Sequence, residues 1–187
     1  MQSTKPRQTF LLLDRDGVIN IERRDYVLSW EQFEFKSDFI ENVRILNKLF
    51  ERIVVLTNQS CVGRGLITKS TLDDIHNKML FKIAEAKGRI DKVYYSVGFD
   101  MTDCERKPNI GLLEKLKADY PEFDPRHAIM VGNRDTDMQF AKNANILGIH
   151  YTNNETEEVL PKNLASWQIL NWGEFEHLIQ KIRQSNP

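Results

Sequence analysis

The chain has 187 residues, 41% hydrophobic and 28% charged, with 26 Lys and Arg against 27 Asp and Glu for a formal net charge of -1. A chain of this size buries roughly 70% of the surface it exposes when unfolded, enough for one globular domain over residues 1–187 without disulfide or metal staples. The near-zero charge speaks against a broad electrostatic surface for nucleic acid or anionic membrane.

The opening Met1 to Gln8 is polar, and the apolar stretch Phe10 to Leu13 ends at Asp14, too short for a signal sequence or a membrane span. Thr9 to Leu13 therefore reads as a first strand. Phe39 to Phe50 follows as a helix with Asp38 as its N-cap and Ile40, Val43, Leu46, Leu49 and Phe50 on one face. Ile53 to Leu56 is a second strand, Thr71 to Ala86 a helix stopped by Gly88, and Lys92 to Val97 a third strand. Gly111 to Tyr120 is expected to be helical, Ala128 to Val131 a strand, Asp135 to Asn143 a helix and Ile146 to His150 a fifth strand. From Tyr151 a polar loop leads to a last amphipathic helix, Trp172 to Ile182. The alternation predicts an α/β, Rossmann-like parallel sheet with helices on both faces.

Four polar clusters follow the strands: Asp14-Arg15-Asp16, Thr57-Asn58-Gln59-Ser60, Arg106-Lys107, and Gly132 to Asp137. In open α/β sheets ligands sit beyond the carboxyl ends of strands, so the four converge on one crevice. Two carboxylates two residues apart at a strand end, Asp14 and Asp16, suit a divalent cation and a reacting phosphate, one attacking while the other moves a proton. A solvated turn is the plainer reading of the same tetrapeptide, since Asp and Gly are turn residues. Thr57 to Ser60 supplies neutral donors for phosphate oxygens, and Lys107 a fixed positive charge for a phosphoryl group in transfer. Asn133 and Asp137 flank a helix start, where they either complete a magnesium site or serve as helix caps. The Gly63-Arg64-Gly65 loop lacks P-loop spacing. Cys61 and Cys104 match no metal-ligand spacing and suit a reducing, cytoplasmic setting, and His76, His127, His150 and His177 form no ligand pattern.

Taken together, Asp14-Arg15-Asp16-Gly17-Val18-Ile19-Asn20, Thr57-Asn58-Gln59-Ser60 with Arg64-Gly65, Arg106-Lys107-Pro108 and Val131 to Met138 resemble the four ordered motifs of the haloacid dehalogenase-like phosphatases. Within them the likeness is to the histidinol-phosphate and D-glycero-D-manno-heptose bisphosphate phosphatase group, and it runs from about Phe10 to His150. The resemblance implies Asp14 as nucleophile and magnesium ligand, and Asp16 as general acid/base that also lends its backbone carbonyl to the metal. It implies Thr57 and Lys107 as holders of the phosphoryl group, and Arg106, Asn58, Gln59 and the segment Glu22, Arg23, Arg24, Asp25, Tyr26 as substrate contacts. Arg23, Arg24, Arg64 and Arg106 are candidates for a second phosphate.

Two departures from the group stand out. Position 133 is Asn where the group usually has Asp, so magnesium should bind more weakly and Asn133→Asp should lower the magnesium requirement. The segment Ser96 to Glu105 offers one cysteine where the heptose enzymes often carry a zinc loop, so no structural zinc is expected. The spacing between motifs leaves no room for a separate cap domain. The expected activity is magnesium-dependent hydrolysis of a small phosphorylated metabolite, a sugar bisphosphate first and histidinol phosphate second. No nucleic-acid or membrane partner is expected. The alternative of another class is a binding or regulatory module that kept the fold and lost turnover.

Overall fold

The computed structural model describes residues 9–152, 161 and 164–185. The polar opening Met1 to Gln8 and most of the polar loop expected after Tyr151 lie outside the described residues. Strands β1 (Phe10–Leu13), β2 (Arg52–Asn58), β3 (Lys92–Ser96), β4 (Ala128–Gly132), β5 (Leu147–Tyr151) and β6 (Trp167–Ile169) form one parallel sheet in the order β3-β2-β1-β4-β5-β6. The helices are α1 (Ser37–Leu49), α2 (Ser60–Gly63), α3 (Lys69–Glu85), α4 (Gly111–Asp119), α5 (Asp135–Asn143) and α6 (Phe175–Ser185).

The strands alternate between two cores, as side chains two residues apart must. Leu11, Leu13, Ile53, Val55, Ile129 and Val131 pack with buried residues of α1, α3 and α6. Phe10, Leu12, Val54, Leu56 and Met130 pack with those of α4 and α5 on the other face. Both faces are covered, which is why the inner strands read as unbroken apolar runs rather than alternating ones. No helix among the described residues is long and apolar enough to cross a membrane.

Two details of the expected layout are corrected. Asp38 is not the N-cap of α1: the helix starts at Ser37 after an extended Lys36. The Asp38 carboxylate instead accepts from Tyr151 Oη at 2.7 Å and from the Trp172 backbone N–H at 2.9 Å, fastening the C-terminal segment to the first helix. That segment also adds β6, a strand of three residues whose pattern is too short to read from sequence. The last helix is preceded by a 3-10 turn at Trp172–Glu174, with the Trp172 indole N–H donating to Val18 O at 3.1 Å.

Between β1 and α1 the chain makes a 3-10 turn at Trp30–Gln32 and two isolated bridges, Asp16 with Asn20 and Asn20 with Phe35. The Trp30, Phe33 and Phe35 rings pack on one another there. Neither this segment nor the α2–α3 connection builds a separate cap. The chain winds outward from β1 through β2 to β3 and then returns to β4, so the strand order reverses between β1 and β4, the point where open sheets leave a crevice.

Candidate active site

The crevice opens at that point, with a volume of about 290 Å³. Asp14, Arg15, Asp16, Glu22, Asn58, Gln59, Lys107, Arg134 and Asp137 are among its lining residues. Asp14 leaves the core directly after β1, its N–H still bound to Val131 O at 3.0 Å. Gly17 turns the chain at φ +80°, in the left-handed region that suits glycine.

Lys107 is the centre of the arrangement. It is 1% exposed, and its Nζ lies 2.8 Å from Asp14 Oδ1 and 2.6 Å from Asp137 Oδ1. Burial alone would lower its pKa, but Asp137 and Asp14 more than offset that and raise it, so the buried amine stays charged. Burial pushes the Asp14 carboxyl up to about 6, with Lys107 opposing and the Asp137 and Asp16 charges adding to the rise. Asn58 fixes the lysine from behind: its Nδ2 donates to Lys107 O at 3.1 Å, and its Oδ1 accepts from Lys107 N–H at 2.9 Å.

Asp16 is clamped differently. The buried Arg15 guanidinium donates to both of its carboxylate oxygens at 2.9 Å, while Asn20 Nδ2 and Gln59 Nε2 donate at 3.0 and 2.7 Å. Burial opposes ionisation, but Arg15 and these donors outweigh it and hold the Asp16 pKa below the usual carboxylate value. Gln59 Nε2 also reaches Thr57 Oγ1 at 3.0 Å, tying the end of β2 to the motif after β1.

Behind Arg15 stands His76 of α3, its Nε2 3.0 Å from Arg15 Nη1 and therefore the acceptor, since a guanidinium only donates. Burial first, and then the Arg15 charge, lower the His76 pKa to about 3. The unfolded chain takes up a proton near the ordinary value of 6.5 while the folded chain does not. The contribution of neutral His76 is thus present above pH 6.5 and lost as pH falls from there toward about 3. The expected result is that native protein loses roughly 1 kcal/mol more stability than His76→Gln between about pH 7.5 and about pH 5.5. Urea midpoints of both proteins at the two pH values measure this, and equal losses would refute it.

Asp137 divides its carboxylate between Lys107 and the Arg134 backbone N–H, which its Oδ2 accepts at 3.1 Å. Its place is that of lysine anchor and helix cap together. Asn133, 1% exposed, donates from Nδ2 to Glu22 Oε2 at 2.7 Å, while its Oδ1 is buried with no hydrogen-bond partner. His150 Nε2 donates to Asn133 O at 3.0 Å, which holds the backbone of the turn. Among the described residues no three of His, Cys, Asp and Glu converge as a metal-holding set. A cation here must use carbonyl oxygens beside a carboxylate, and the partnerless Asn133 Oδ1 fits that need.

Of the residues expected at the site, Arg23, Arg24, Tyr26, Ser60 and Arg106 also line the crevice. Tyr26 adopts φ 67°, unusual for a bulky residue, and its Oη accepts from Ser60 Oγ at 3.3 Å. Arg106 is steadied by Nη1 donating to Gly98 O at 3.1 Å. Four of the expected residues are not in the lining: Thr57 and Asn133, each 1% exposed, and Arg64 and Asp25. Arg64 is exposed, with its guanidinium 5.5 Å from the Phe99 ring centroid, and Asp25 is turned to Arg23. Asn58 and Gln59 spend their amides on Lys107 and on Asp16 and Thr57, so they build the site rather than offer free donors. Arg15, His76, His150 and Arg134 are additions that the motif reading missed; His76 lies four residues from Leu72 on the buried stripe of α3, the one signal available for it.

A charged lysine buried between two carboxylates, beside a clamped second Asp at the switch point of a parallel sheet, defines a phosphoryl-handling enzyme of the haloacid dehalogenase-like class. The family model "HAD-hyrolase-like" matches residues 104–167. A D-glycero-alpha-D-manno-heptose-1,7-bisphosphate 7-phosphatase of Campylobacter jejuni is 35% identical over 79% of this chain and 84% of its own. A D-glycero-beta-D-manno-heptose-1,7-bisphosphate 7-phosphatase of Escherichia coli K12 is 31% identical over 91% of this chain and 93% of its own. The crystal structure of a D,D-heptose 1,7-bisphosphate phosphatase from B. bronchiseptica, complexed with magnesium and phosphate, superposes with a TM-score of 0.81 at 26% identity, covering 92% of this chain and 99% of that one. The chain belongs to the heptose-bisphosphate phosphatase family of the haloacid dehalogenase-like hydrolases.

Proposed function

We propose that this single-domain enzyme removes one phosphate from a heptose bisphosphate through an aspartyl-phosphate on Asp14. The observation that carries the reading is Lys107, buried and charged, with its ammonium on the Asp14 oxygen where a phosphoryl group would arrive. The crevice volume lies at the lower end of the range for small-ligand pockets, which suits a sugar phosphate better than a macromolecule. Arg23, Arg24 and Arg106 bring further positive charge to the crevice for a second phosphate.

In this reading an Asp14 carboxylate oxygen attacks phosphorus, the P–O bond to the sugar breaks, and Asp16 gives its proton to the leaving oxygen. Water then attacks the phosphorus of the aspartyl-phosphate, passing a proton to Asp16 and freeing Asp14. The Arg15 clamp keeps Asp16 anionic in the free protein, the form needed for the second step. For the first step Asp16 takes up a proton from solvent as substrate binds, because the phosphate's negative charge raises its proton affinity. Lys107 neutralises charge on the transferring oxygens, and Thr57 contributes its hydroxyl to them. Magnesium would be held by the Asp14 carboxylate, the Asp16 carbonyl and Asn133 Oδ1, and when bound it supplies further positive charge against the phosphoryl oxygens.

The relatives differ in the anomer that their names specify, so the test uses both. Purified protein with magnesium is assayed for phosphate release from α- and β-anomers of the heptose 1,7-bisphosphate, histidinol phosphate and a general panel of phosphorylated metabolites. One heptose anomer is expected to give the highest kcat/KM. Histidinol phosphate in first place would overturn the substrate assignment.

A further inference from the structure

We propose that Glu22 is the positioning residue of the metal site, orienting the Asn133 amide so that its carbonyl oxygen and not its NH2 is presented to the cation. The inference rests on the magnesium-site reading above.

A side-chain amide has two ends of nearly equal shape, and only one can ligate a cation. At position 133 the choice is made by chemistry: Nδ2 meets Glu22 Oε2 at 2.7 Å, and a carboxylate only accepts, so the flipped amide would set two oxygens against each other. The opposite end, Oδ1, is then left buried without a protein partner. Leaving a buried acceptor unpartnered is costly, which marks the atom as one reserved for a ligand. Its location agrees, because Asn133 follows β4, whose Val131 carbonyl takes the Asp14 N–H. The amide also packs against the turn after Asp14: a Cβ on Gly17 would come within 2.2 Å of Nδ2 and 2.9 Å of Oδ1.

Glu22 acts through direction rather than charge. Its other oxygen, Oε1, accepts from Arg134 Nε at 2.9 Å and pairs with Arg134 Nη2, which leaves Oε2 to face position 133. What reaches Asn133 is the hydrogen bond. This changes the expectation for Asn133→Asp, because the new carboxylate would face Glu22 at the same short distance and be repelled by it. That substitution alone should gain little magnesium affinity.

The test is calorimetric titration of magnesium chloride into metal-free full-length protein, with unfolding midpoints confirming that each variant is folded. Glu22→Ala should weaken binding about tenfold in the native background and strengthen it in the Asn133→Asp background. Glu22→Gln, whose carbonyl can take the same hydrogen bond, should stay within about threefold of native. It should also strengthen binding beside Asn133→Asp, so the comparison survives if the alanine variant does not fold. Native-like affinity in Glu22→Ala, or effects of the same sign in both backgrounds, would overturn the role of Glu22. Failure of the native protein to bind magnesium would remove the metal-site reading itself, and this inference with it.

Discussion

Asp14→Asn is expected to cut magnesium-dependent turnover of an aryl phosphate by more than about a thousandfold, the scale of losing a nucleophile. Asn has nearly the volume of Asp, and Lys107 keeps its 2.6 Å contact with Asp137, so the variant should fold and unfold much like the native protein. Retained structure with lost turnover assigns the loss to chemistry. Equal slow release by both proteins would instead indicate a phosphometabolite-binding module that no longer turns over.

The second large effect is at Lys107. Its replacement by Met leaves Asp14 and Asp137 facing each other in a buried place without the cation that both contact. Removing one member of a buried charge pair costs about 3–5 kcal/mol, so Lys107→Met should be strongly destabilised as well as inactive. Adding Asp137→Asn removes one stranded charge, and about half of that loss should return without any return of activity. Denaturant unfolding of the two variants measures the recovery. An unrecovered loss would mean that the charge stranded on Asp137 is not what destabilises the Lys107→Met variant.

The parallel sheet and its crevice were legible because their signals are local. Four apolar residues ending in Asp14, and the later runs ending near Thr57 and Gly132, are buried on both faces and leave their polar groups at the carboxyl edge. What escaped depends on partners far along the chain. Asn58 looks like a phosphate donor until Lys107, 49 residues on, occupies both ends of its amide. Asp38 has the right residue type for a helix cap, but Tyr151 and Trp172 draw its carboxylate to the C-terminal segment. Arg64 follows the expected motif, yet the loop after α2 carries it outward to Phe99. The substitution at position 133 was visible as a missing charge, whereas the hydrogen bond that directs its amide came from Glu22, 111 residues earlier.

Covalent phosphorylation of Asp14 is the claim on which the mechanism stands, and borohydride trapping during turnover tests it most directly. An acyl phosphate is reduced where a free carboxylate is not, so peptide mass analysis should find homoserine at position 14 only when substrate and magnesium are both present. An unmodified Asp14 under conditions of rapid turnover, or reduction found at Asp16 instead, would contradict the account.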